Sequence, residues 1–220
     1  MIKKTVFWSR DGIITLFATL VGVFLALYLN EWNASRKLKK QKEIATENIL
    51  TEISANKKLL TESVKNYTEM LDIYIFFSEC LSTESEFITS SENMIQFRTK
   101  HPGLLSPIDS VRLGNEKFKY TRMNLNLVFT LEQVELRTIA WETLKSSNII
   151  STYDFDYLMG LEYIYKSLYN IIQTNNGIYN DAKSFIQGDM SVLDNLIFNV
   201  KMAINTENGL IDLCNKDYGK

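Results

Sequence analysis

The sequence predicts an all-α protein in which an N-terminal transmembrane helix continues into an antiparallel bundle of four to five helices. Three observations carry that prediction. Residues 12–29, GIITLFATLVGVFLALYL, are an uncharged run of eighteen residues. Beyond it Leu50, Ile53, Leu60, Val64, Tyr67, Leu71 and Tyr74 recur at steps of three, four or their sum, the period of one helix face. The 220 residues also include only two prolines and nine glycines, few for a sandwich or barrel with many tight turns.

At ~1.5 Å per residue the apolar run spans about 27 Å, close to the hydrocarbon thickness of a bilayer. Trp8 precedes it, and Tyr28, Trp32 and Asn33 lie at its far end as interfacial anchors. A cleaved signal peptide fits less well, because the apolar stretch is long and no A-x-A-like site follows. Ala18, Gly22 and Ala26 share one face at small-xxx-small spacing, which lets two helices approach closely in lipid. No second run of comparable length exists, and the expected location is a bacterial inner membrane, crossed once. Abundant Ile, Asn, Lys and Tyr fit an AT-rich bacterial genome.

Charge divides the chain in the same place. Residues 1–42 carry a net +6 and residues 43–220 a net −8, within a total of −2. Lys3, Lys4 and Arg10 precede the span; Arg36, Lys37, Lys39, Lys40 and Lys42 follow it. With the amino terminus counted, the two flanks differ by one charge, so the positive-inside rule leaves the side of the body open. The organisation read from this is an anchor with flanks (1–33), a membrane-proximal long helix (34–80), and a remainder (81–220) forming one domain with that helix. The acidic body lacks a basic face for nucleic acid. Membrane lipids, a second copy of the chain or another membrane protein are the expected partners.

Along the body, residues 82–85 form a polar break and a weaker helix is expected over 84–98. The only histidine and both prolines, in His101-Pro102-Gly103 and Ser106-Pro107, read as loop. Residues 124–129 (NLNLVF) alternate briefly, as a short strand or extended connection would. Thr130 with Gln133 forms a capping box opening a helix that Ser146-Ser147-Asn148 ends, with Asn148 suited to a left-handed terminus. Ser151 with Asp154 opens an aromatic-rich helix to about residue 174, stopped by Asn175-Asn176-Gly177. Helices over 178–187 and 190–204, divided at Gly188, complete the bundle.

Signatures of catalysis are absent: no H-E-x-x-H, no G-x-S-x-G, no phosphate-binding glycine loop. His101 and the two cysteines, Cys80 and Cys214, cannot build a zinc site, and a Cys80–His101 thiol–imidazole pair is a poorer account than a buried thiol and a loop histidine. Whether Cys80 and Cys214 pair is left open. Asp154 and Asp156 suit a helix start better than a metal. The aromatic row Phe155, Tyr157, Tyr163, Tyr165 and Tyr169 reads as core before ligand pocket. No cofactor is expected.

Two blocks are familiar together. Leu27-Tyr28-Leu29-Asn30-Glu31-Trp32-Asn33 followed by Arg36-Lys37, and Ala140-Trp141-Glu142-Thr143-Leu144-Lys145-Ser146-Ser147, resemble a family of uncharacterised bacterial single-pass membrane proteins. That family has an Asn-x-Trp-Asn exit motif and a later Trp-Glu-x-Leu-Lys-Ser-Ser-Gly-like motif, where Asn148 here replaces the glycine. The resemblance implies the architecture and no activity. On physical grounds Trp141 fills a core while its indole N–H seeks a partner, and Glu142 pairs with Lys145 on the surface; Trp141, Glu142 and Lys145 are also the candidate interaction residues. The expected function is a membrane-anchored, non-enzymatic interaction or scaffold protein, oligomeric or a subunit of a membrane complex. The alternatives are a sensory ligand-binding module working through a partner, and a membrane-acting effector of bacterial defence.

Overall fold

The computed structural model describes residues 10–81, 86–125 and 135–218. Neither glycine nor proline occurs between Asn30 and Cys80, so nothing interrupts the helix that begins with the apolar run. It forms one element, α1 (Arg10–Cys80), of 71 residues, about 105 Å long at the helical rise. In its second half Ile49, Ile53, Asn56, Leu60, Ser63, Tyr67, Met70, Tyr74 and Phe77 are all buried, at alternating steps of four and three. The expected seam is right at Ile53, Leu60, Tyr67 and Tyr74. It is displaced at Leu50, which is 38% exposed, and at Val64 and Leu71, which sit at its margin. Asn56 and Ser63 take two of the interior positions, and a count of apolar residues passes over them.

After α1 the chain departs from helix. Residues 87–90 form β1 (Phe87–Ser90), and α2 (Ser91–Lys100) starts only after it, with Ser90 Oγ accepting from the backbone N–H of Asn93 at 3.0 Å. The expected helix over 84–98 is therefore corrected to a strand and a later helix. Phe87 and Thr89 face inward, an alternation that suits a strand. A hairpin follows, β2 (Leu105–Gly114) and β3 (Lys117–Leu125), and the sheet order is β1-β3-β2, all antiparallel. Its turn holds Gly114, Asn115 and Glu116 at φ of 104°, 46° and 62°, left-handed backbone that glycine and asparagine adopt most readily. Ser106-Pro107, expected as loop, lies in β2; an edge strand tolerates proline because one side of its backbone needs no ladder partner. Of the expected strand at 124–129, residues 124 and 125 end β3, and the rest lie outside the described residues, as do Thr130 and Gln133.

The chain resumes as coil, and helix α3 (Ile139–Lys145) follows Thr138. The expected stop at 146–148 is present, but Asn148 is not left-handed; it opens a 3-10 turn, Asn148–Thr152. Asp154, not Ser151, caps α4 (Phe155–Ile186), accepting from the N–H of Asp156 at 2.9 Å. Helix α4 passes through Asn175-Asn176-Gly177 without stopping, because Leu168, Ile171, Ile178, Ala182 and Phe185 keep one face buried on both sides. Gly188, at φ 97°, ends that helical segment as expected. A final helix, α5 (Leu193–Tyr218), runs well past residue 204.

The protein is thus mainly helical, with one small three-stranded sheet. Helix α4 ascends beside α1 in the same direction, as the pairs Lys42–Thr152, Glu52–Tyr165 and Tyr74–Phe185 show. Helix α5 returns antiparallel to both. Two apolar cores result. The distal core gathers Tyr67, Phe77, Phe87, Phe97, Ile178, Phe185 and Ala203 beneath the sheet; the basal core gathers Ile49, Leu60, Trp141, Ile164, Ile171 and Leu210.

Candidate functional site

The apolar run comes first. Every residue from 12 to 41 is exposed, and its apolar window has a mean hydropathy of 2.3 with none of it buried. A core helix would hide such a surface against its own domain; here no other element among the described residues covers it. Ala18, Gly22 and Ala26 lie along it, and a Cβ added at Gly22 would meet nothing within 4 Å. Tyr28 and Trp32 are exposed, with the Arg36 guanidinium 4.8 Å from the Trp32 ring centre, and Asn33 is exposed beside them. Trp8 lies outside the described residues.

Where α1 enters the body, it is locked laterally. Lys42 Nζ donates to the carbonyl of Thr152 at 2.6 Å and lies 4.6 Å from the Tyr153 ring centre; Tyr153 Oη donates back to the Lys42 carbonyl at 2.9 Å. Of the basic run 36–42, Lys42 is therefore engaged by the body rather than presented to lipid. Nearly three turns further, Glu52 is buried at 8% exposure and both its oxygens are used. Tyr165 Oη donates to Oε1 at 2.7 Å, and the Ala140 N–H donates to Oε2 at 2.9 Å. Thr138 makes no side-chain cap, so a carboxylate from α1 caps α3 in its place, where the helix dipole favours negative charge. Asn56 completes the lock: its amide donates to the Arg137 carbonyl at 2.7 Å and accepts the Arg137 N–H at 2.8 Å.

Trp141 belongs to this lock. It is 4% exposed and stacks on Tyr165, with ring centres 5.4 Å apart and planes 10° from parallel. Glu142 and Lys145 form an ion pair at 2.8 Å on the surface, and Lys145 Nζ lies 5.5 Å from the Trp141 ring centre. The three candidate interaction residues are thus together, with the tryptophan inside and only the pair outside. Sequence reasoning missed Glu52 and Asn56. A signal was present: two polar residues on the buried heptad face of α1, four apart.

Beside the lock an open groove of about 1320 Å³ runs along α1, lined by Lys39, Glu43, Glu47, Leu50 and Lys58, with Cys214 from α5 at its floor. The rest of the 50–74 seam is already covered by α4 and α5, so it is interior to this chain and not a surface for another one.

Between the two cores lies a polar layer. Each helix supplies one residue flanked by apolar neighbours of the two clusters: Ser63 between Leu60 and Tyr67, Asn175 between Ile171 and Ile178, Glu207 between Ala203 and Leu210. Glu207 is 0% exposed. Asn175 Nδ2 donates to its Oε1 at 3.2 Å, while Oε2, Asn175 Oδ1 and Ser63 Oγ are buried with no hydrogen-bond partner. Burial raises the Glu207 carboxyl to about 7, against smaller opposing effects of the nearby Ser63 and Asn175 side chains. Tyr67, next along α1, is also pushed up, first by burial and then by the Glu207 charge.

The remaining candidates disperse. Cys80 lies in the distal core and Cys214 in the basal one, so they form no disulfide with each other. Burial raises the Cys80 thiol, which lies close enough to Thr89 to be bonded by it, and His101 packs on Phe97 with its own proton affinity lowered by burial. The aromatic row on α4, expected as core, splits between faces: Tyr165 is buried, whereas Phe155, Tyr163 and Tyr169 are exposed, so the core reading holds at Tyr165 and is corrected at those three. Among the described residues no three His, Cys, Asp or Glu side chains converge as metal ligands would. Compared with protein-family models, curated proteins and solved structures, the chain finds no match.

Proposed function

We propose that this is a single-pass membrane protein whose helical body is a non-enzymatic interaction or scaffold module, working as a homo-oligomer or as a subunit of a membrane complex. The observation that carries the reading is α1 itself. One unbroken helix presents an uncovered apolar stretch of membrane-spanning length at one end and supplies a wall of both cores at the other. A body joined this rigidly transmits position and rotation between bilayer and domain, which suits assembly more than turnover. The Asn-x-Trp-Asn exit and Trp-Glu-x-Leu-Lys-Ser-Ser blocks fit the same reading, as membrane exit and basal lock of a bacterial anchored protein. The groove along Lys39, Leu50 and Lys58, together with the Ala18/Gly22/Ala26 face, offers the contact surfaces.

Crosslinking in native membranes followed by mild-detergent purification tests this. The chain should fractionate with membranes, resist alkaline extraction, and appear as an oligomer or with a stoichiometric partner. Removal of residues 1–33 should release it from the membrane. A monomer in both membranes and detergent, with no co-purifying protein, overturns the proposal.

A further inference from the structure

We infer that the Ser63–Asn175–Glu207 layer is a proton-binding site at the waist of the bundle, and that loss of its proton loosens the basal half of the body from the distal half.

Hydrogen-bond chemistry leads there first. An ionised carboxylate only accepts, whereas a protonated one donates from one oxygen. Asn175 spends a donor on Glu207 Oε1, which leaves two buried acceptors, Glu207 Oε2 and Asn175 Oδ1, with the neutral hydroxyls of Ser63 and Tyr67, and no cation among the described residues, to serve them. Facing Glu207 from α1 are the Ser63 hydroxyl and the Tyr67 phenol, and from α4 the Asn175 amide. The only other titratable group among them is Tyr67, which stays neutral and brings no positive charge. No lysine or arginine forms an ion pair with Glu207 among the described residues. A proton on Oε2 turns an acceptor into a donor and removes the buried charge, whereas a hydroxyl from Ser63 can bond the carboxylate but leaves the charge in place. The upward shift of the carboxyl agrees with this bookkeeping.

The backbone around the site is weak at the same level. Helix α4 reads Thr174-Asn175-Asn176-Gly177-Ile178 and α5 reads Thr206-Glu207-Asn208-Gly209-Leu210. Thr, Asn and Gly are poor helix formers, and here the two segments lie side by side on antiparallel helices, joined by the Asn175–Glu207 bond. The equivalent positions of the two segments thus meet. Ionised, Glu207 requires water, and opening of these two segments is the least costly way to admit it. The apolar cores above and below are not interrupted in this way.

The full-length chain in lipid nanodiscs provides the test, with hydrogen exchange corrected for intrinsic rates and infrared absorption of protonated carboxyl read across pH 5–8. Exchange in 171–178 and 203–210 should be about tenfold faster at pH 8 than at pH 6, and a protonated-carboxyl band should be present at pH 6 and lost by pH 8. Glu207→Gln should abolish the band and the pH dependence together. Asn175→Leu, which removes the donor to Oε1 and leaves the carboxyl more apolar surroundings, keeps the site testable if the glutamine variant fails to fold; its band should disappear at a higher pH than in the wild type. Absence of the band at pH 6, equal exchange at the two pH values, a pH dependence unchanged in Glu207→Gln, or a midpoint unmoved in Asn175→Leu each overturns the inference.

Discussion

Two glutamates among the described residues are buried in this bundle, and their surroundings are opposite. Glu52 sits in the basal core with a donor on each oxygen, one from Tyr165 and one from the first turn of α3. Glu207 sits between the cores with an amide donor on one oxygen and no bonded donor on the other. A buried carboxylate that is fully hydrogen-bonded fastens the elements that supply its donors. One that is half satisfied marks a place where the structure is held less firmly. The contrast teaches that the body is secured to α1 at its basal end and is least secure halfway up. Movement of the distal head is therefore the motion this fold permits most easily, while the entry of the anchor into the body stays fixed.

The contrast can be broken most directly at its firm end. Trp141→Ala removes a buried ring stacked on Tyr165 and should cost about 4 kcal/mol, read from denaturant unfolding of the full chain in detergent. A variant that keeps wild-type stability would move Trp141 from the core to a binding role. Glu52→Ala leaves the Tyr165 hydroxyl and the α3 N-terminus without their acceptor and should cost about 3 kcal/mol. Added exchange should appear in α3 and in residues 135–138, which Asn56 also holds. If the loss appears instead throughout 171–178, the basal lock and the polar layer are one unit, and the comparison fails.

How far these two sites were legible in the sequence follows from what each consists of. The exposed apolar run and the helical body were readable because hydrophobic period and length are local signals. Ile53, Leu60, Tyr67 and Tyr74 declare one face of α1 by themselves. Glu52 and Asn56 were not found, because their partners, Tyr165, Ala140 and Arg137, lie more than eighty residues away. The β-hairpin escaped because irregularities at Pro107/Asp109, Asp109/Ser110 and Arg112/Gly114 break the period of two in β2, and β1 reaches β3 only across the intervening α2. Asn175-Asn176-Gly177 has the composition of a helix stop. Tertiary burial of Ile171 and Ile178 overrides that local preference, and what remains of it is the weak point at the waist.

The loose end of the comparison is sharpened by pH. The Glu207 carboxyl is raised to about 7 by burial, whereas in the unfolded chain it titrates near its ordinary value of 4.5. Below about pH 4 both states carry the proton and the group exacts no penalty. As pH rises toward 7 the unfolded chain ionises and the folded chain does not, so folding stability falls; above about pH 8 the whole penalty is present. Allowing for relaxation and water entry, that loss is on the order of 2 kcal/mol. Unfolding of the wild type measured from pH 5 to 8 should show the decline, and Glu207→Gln should flatten it and be the more stable protein at pH 8. A wild-type curve that is flat across this range contradicts the assignment.

The smallest effect separates stability from recognition at the motif that joins α3 to the basal core. Glu142 and Lys145 form their pair at 2.8 Å with side chains 62% and 39% exposed. An ion pair this open to solvent contributes less than about 0.5 kcal/mol, and Lys145 adds only a distant approach to the Trp141 ring. Lys145→Ala should therefore leave the unfolding curve within error of the wild type, in contrast to Trp141→Ala four residues before it. The same variant carried into the membrane crosslinking measurement then reports on surface contacts alone. Unchanged stability with a lost crosslinked species places the partner on this corner of α3. Unchanged stability with unchanged crosslinks moves the proposed contact to the groove on α1 and the small-residue face of the apolar run.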